Sequence, residues 1–137
     1  MNETWLASLR LAHAYWIYPF GLLAAVVFVL LAFTVLGRRP LPPRFPFLNR
    51  IFLVSADLQW LLGVMYWVTS QQWSVRDESM MQFRHPVIMT AVWLMYRYGN
   101  NKMKRSLNAE TAARDGFWYY SLAMIFLVIG VFQVMGS

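Results

Sequence analysis

The chain has no cysteine and only two histidines among its 137 residues. Without thiols, disulfides, thiolate zinc sites, thiolate iron–sulfur clusters and covalent c-type haem attachment are excluded. Charge is scarce as well. Only 13% of residues are charged, about half the share of an ordinary soluble domain. Acid is the scarcer sign, six acidic residues against twelve basic ones. There is no glycine-rich phosphate loop, no Ser-His-Asp set and no carboxylate pair placed for acid–base work. The first ten residues are too weakly basic for a signal-peptide start, and no small-residue cleavage site follows, so the first apolar run is expected to stay.

Apolar residues fill the space that charge leaves. They make up 59% of the chain, against about 45–50% in globular proteins. A domain this small cannot bury that much apolar surface in water. A membrane-spanning helix needs roughly 20 largely apolar residues, and four stretches come close: 14–36, 47–69, 86–104 and 117–135. The expectation is a single all-α domain, an integral membrane antiparallel four-helix bundle with short loops. A net charge of +6 and a pI near 10.1 would suit nucleic acid, but the basic residues cluster between apolar runs. There they set membrane orientation instead, and no nucleic-acid partner is expected.

Taken in order, Asn2 or Thr4 can cap a helix that enters the bilayer near His13. Tyr15, Trp16 and Tyr18 lie at headgroup level, and Pro19 is expected to kink the first span or shift its start. Pro40, Pro42, Pro43 and Pro46 make the next connection a stiff, extended one. The loops after the first and third spans are strongly basic, through Arg38, Arg39, Arg44, Lys102, Lys104 and Arg105. The connection between spans two and three is neutral, Arg76 and Arg84 facing Asp77 and Glu78, and its Trp73 continues an aromatic belt. Positive loops stay inside. Both termini are therefore expected outside, in the inner (cytoplasmic) membrane if the cell is bacterial.

The two histidines stand at equivalent places. His13 opens the first span, and His85 directly precedes Pro86 at the start of the third. Proline suits the first helical position and disfavours helical geometry just before it, so His85 is expected as the cap. Spans one and three run the same way and face each other across a four-helix core. Both imidazoles then point at one slot near the outer surface, as axial ligation of a b-type haem requires. Arg10, Arg76 and Arg84 lie on the same side, and a guanidinium suits a haem propionate. The plainer reading stands beside it, since two interfacial histidines need no cofactor.

His13-Ala14-Tyr15-Trp16, Asp57-Leu58-Gln59 and Arg84-His85-Pro86 resemble the motifs of small bacterial four-helix membrane proteins described as cytochrome-b-like. The resemblance covers most of the chain and implies the same four-helix fold and His13 and His85 as haem ligands. That family carries a histidine in the second span where this chain has Asp57.

Asp57 is a carboxylate well inside an apolar run, a functional candidate by default and one that needs a partner. Counted at about 1.5 Å per residue, Asp57 and Arg97 both lie roughly 18–20 Å from the connection between their spans. They are expected at matched depth, as a buried ion pair that keeps register or as a proton site. The nine methionines and seven tryptophans are read as packing residues. Two functions remain open. One is a b-type, cytochrome-like electron-transfer subunit with one haem near the outer face, exchanging electrons with quinone and a partner. The other is a cofactor-free accessory subunit of a respiratory or photosynthetic complex, packed against other membrane subunits and lipid.

Overall fold

A computed structural model describes residues 2–71 and 83–135. Trp73, Arg76, Asp77 and Glu78 lie outside the described residues. Four helices account for nearly all of the rest: α1 Glu3–Gly37, α2 Phe45–Thr69, α3 Arg84–Arg105 and α4 Ala109–Met135.

The helix ends follow local chemistry. The Asn2 side chain accepts from Thr4 N at 3.2 Å, which starts α1 well before its apolar run. The helix continues through Pro19 and stops at Arg38, whose φ of 49° is left-handed. Pro46 sits in the first turn of α2, where a missing N–H costs nothing. In α3 the sequence expectation shifts. The helix begins at Arg84 with Phe83 as its cap, so His85 is already helical and Pro86 is the third residue. The first four N–H groups of a helix lack an internal acceptor, so proline fits there as well as at the first position. Asn108 starts α4 by accepting from Thr111 N at 2.8 Å.

The helices form a ring in chain order, α1 against α2 and α4, and α3 against α2 and α4. Each neighbouring pair is antiparallel, since contacts rise along one helix as they fall along the other. Between α2 and α3, for example, Asn49 meets Asn100, Asp57 meets Arg97 and Trp60 meets Thr90. Both termini therefore lie at one end of the bundle. The basic segments after α1 and α3 lie at the other.

A cluster of aromatic rings fills the centre. Phe52 meets Phe20, Tyr96 and Tyr120 at centroid distances of 5.8, 4.7 and 5.7 Å, with Tyr96 edge-on as ring quadrupoles prefer. Toward the basic end, Asn49 Nδ2 donates to Asn100 Oδ1 at 3.0 Å, and Tyr120 Oη donates to Asn49 Oδ1 at 2.7 Å. Gly99 lets α3 and α4 close up, because a Cβ there would stand 2.7 Å from that of Tyr119.

Among the described residues, α1, α2 and α4 are long and apolar enough to cross a membrane. The remaining expected run, 86–104, falls on α3, which is not among them. The apolar part of α3 ends at Arg97, and Asn100, Asn101 and Lys102 follow within two turns. Large apolar side chains also cover the outer surface, among them Leu22, Phe33, Leu36, Trp118 and Phe132, each more than 60% exposed.

Candidate functional site

The two histidines meet near the termini end. His13 lies on α1 and His85 on α3, opposite corners of the ring, and their centroids are 6.5 Å apart with planes at 78°. The separation is informative. Two imidazoles on opposite sides of one metal ion, with metal–nitrogen bonds of about 2.0–2.1 Å, hold their centres roughly 6–6.5 Å apart.

Each ring lies beside a backbone carbonyl of a neighbouring helix. The His13 ring lies against the Gln59 backbone carbonyl and the His85 ring against that of Gly130. Carbonyl support of this kind is what orients metal-ligating histidines. The Gln59 side chain ties α2 to α1, its Nε2 donating to His13 O at 3.3 Å. One turn away, Gly63 is required by the close approach of the ring. A Cβ at that position would come within 2.8 Å of His13 Cε1.

Polar atoms are left over here. His13 Nδ1, Gln59 Oε1, His85 Nδ1 and Gln133 Oε1 are buried and have no hydrogen-bond partner among the described residues. One comes from each helix. Buried donors and acceptors without partners cost about 1–3 kcal/mol each, and Ser55 Oγ and Tyr96 Oη are left over in the same way. Arg10 and Arg84 flank the two histidines in sequence and are exposed.

No family model, no curated protein and no solved structure matches the chain.

A second polar cluster lies between α2 and α3. Asp57 accepts from Trp93 Nε1 at 2.8 Å and Arg97 Nε at 3.0 Å, and Arg97 Nη2 closes the salt bridge. The indole of Trp93 stacks on that of Trp60 at 4.5 Å, and Trp60 Nε1 donates to Thr90 Oγ1 at 3.0 Å. The expectation of a buried pair needs correction here. Arg97 and Asp57 side chains are 39% and 38% exposed, so the pair is part-buried in the α2–α3 seam rather than enclosed in the core. Matched depth says nothing about which way a helix is turned.

The Asp57 carboxylate is engaged by Arg97 and Trp93, so it does not join the histidines. Among the described residues no three His, Asp or Glu side chains gather as a metal site. Gln133 and the Asn49–Asn100–Tyr120 network escaped the sequence reading. The signal for both was an amide inside an apolar run, the same signal that made Asp57 conspicuous.

Proposed function

We propose that the chain is an integral membrane electron-transfer subunit that holds a b-type haem between His13 and His85. The observation that carries the proposal is their 6.5 Å separation, with both Nδ1 atoms buried and unpartnered. Two neutral imidazoles alone hold a bare metal ion poorly. They suit a metal whose other four positions are already filled by a macrocycle. A haem held in this way supplies one-electron transfer.

The chain's own residues do the holding. His13 and His85 would hold the haem iron, each beside a backbone carbonyl of a neighbouring helix. Gly63 leaves room for the His13 ring, and Gln59 fixes the α1–α2 register beneath it. Arg10 and Arg84, close to the two histidines in sequence, would supply guanidinium groups for a propionate. The outer surface of Leu22, Phe33 and Phe132 supports insertion in lipid, and the basic segments at the opposite end support an inward position for that end. Both termini and the haem then lie toward the outside of the inner membrane, where a quinone and a partner subunit could exchange electrons with it. The likeness of His13-Ala14-Tyr15-Trp16 and His85-Pro86 to cytochrome-b-like motifs points the same way.

A second reading, a cofactor-free accessory subunit of a larger complex, is favoured by the half-exposed Asp57–Arg97 pair, which a neighbouring protein would cover. Haem content of protein purified in mild detergent separates the two. The first reading expects about one b-type haem per chain, lost in both His13→Ala and His85→Ala. A folded, colourless native protein would overturn it and leave the accessory reading.

A further inference from the structure

The Asp57–Arg97 pair is awkwardly placed for a protein in lipid. It lies about 18–20 Å along both helices from the termini end. That is farther than the roughly 15 Å half-thickness of a hydrocarbon core, so the pair lies in the half nearer the basic end, about 8–10 Å along the helices from Lys102 and Arg50. Arginine has five N–H donors, and Asp57 takes only those on Nε and Nη2. The remaining donors have no partner among the described residues, and the α2–α3 seam where they lie is the loosest of the four. An ion at this depth without full pairing is expensive.

The surrounding surface has a definite form. Val54, Asp57 and Leu61 share one outward stripe of α2, and Leu94, Arg97 and Asn101 share the corresponding stripe of α3. Val54, Leu61 and Leu94 are each about half exposed, at 60%, 47% and 53%. The patch therefore holds one acid and one base, side by side, with Leu61 and Leu94 toward the termini end and Val54 and Asn101 toward the basic end.

We infer that this face pairs with the same face of a second copy, about a two-fold axis normal to the membrane. A closed two-fold interface joins one patch to itself. Rotation about the membrane normal preserves depth, so the second copy brings its Asp57 to Arg97 and its Arg97 to Asp57. Four charges then satisfy one another in a site closed to lipid. A different partner would need its own acid and base at the same depth, whereas a second copy has them by symmetry. The inference rests on the proposed membrane insertion and is independent of haem.

The absence of cysteine makes the test clean. Val54→Cys, Leu61→Cys and Leu94→Cys are made singly, with Leu22→Cys on α1 and Ile129→Cys on α4 as controls on other exposed faces. Each change replaces an exposed apolar side chain and leaves the packed interior alone. Intact membranes are treated with a short bifunctional maleimide, and resistance to carbonate extraction is read separately as the measure of insertion. The expected result is cross-linked dimer from the α2 and α3 positions at least several-fold above the controls. Asp57→Arg combined with Leu61→Cys should lose the cross-link, and adding Arg97→Asp should restore it. Equal cross-linking from all faces, monomer only, or adducts only with proteins of other mass would each overturn the inference. Extraction by carbonate would instead overturn the membrane reading beneath it.

Discussion

Trp93 Nε1 donates to Asp57 Oδ1 at 2.8 Å, on the same oxygen that receives Arg97 Nε. The indole thus holds the carboxylate alongside the guanidinium, and the stacked Trp60 holds the indole. Removing Arg97 leaves an uncompensated charge. Arg97→Leu should therefore cost about 2.5–3.5 kcal/mol, the scale for an unpaired ion at the centre of a spanning helix. It would be read as lower thermal stability in detergent or reduced membrane accumulation. Asp57→Leu together with Arg97→Leu should recover much of the loss, since both charges leave together. A double variant no more stable than the worse single one would refute the structural role of the pair.

Gly63 should tolerate no side chain. Gly63→Ala places a methyl 2.8 Å from His13 Cε1, and overpacking of this kind costs about 1–3 kcal/mol. Haem retention should fall further than thermal stability does, because the ring must turn away from His85. Gly21→Ala, whose Cβ would meet nothing within 4 Å, should change neither. Equal haem content in the two variants would separate Gly63 from the site.

The buried network near the basic end should act as a unit. Asn100→Leu removes the acceptor of Asn49 Nδ2 and leaves a donor unpaired at about 1–3 kcal/mol. Tyr120→Phe removes one donor and should cost about 0.5–1.5 kcal/mol, since Asn49 Oδ1 loses only a single bond. Thermal melts of the two variants check the order. Tyr120→Phe melting below Asn100→Leu would reverse the assignment.

Orientation follows from charge. In intact spheroplasts, Asn2→Cys should react with an impermeant maleimide, and Pro43→Cys should react only after lysis. The opposite pattern would invert the topology and carry both histidines to the inner face.

The helices were legible because apolar runs, the proline-rich connection and the basic clusters punctuate the chain strongly. Contact across the bundle was partly legible too. Residues equally far from a shared turn must lie at equal depth, which is how Asp57 and Arg97 could be matched by counting. Rotation about the helix axis is another matter. It depends on packing by residues such as Gly99 and Tyr119, and it put the ion pair in the α2–α3 seam rather than in the core. The helix α3 starts at Arg84 rather than at Pro86, because proline is acceptable anywhere in a first turn. Gln133 had no visible partner in sequence, and only the meeting of four helices makes its unpaired oxygen significant.

The central claim is that His13 and His85 share one metal, and electron paramagnetic resonance of the oxidised, purified protein tests it most directly. Two imidazoles on one haem iron give a low-spin ferric signal, and planes near the observed 78° make that signal strongly anisotropic. The account predicts such a signal in the native protein and its conversion to high spin, or its loss, in His13→Ala and in His85→Ala alike. A native protein with only high-spin iron, with no iron signal, or with a low-spin signal that survives either substitution would contradict it.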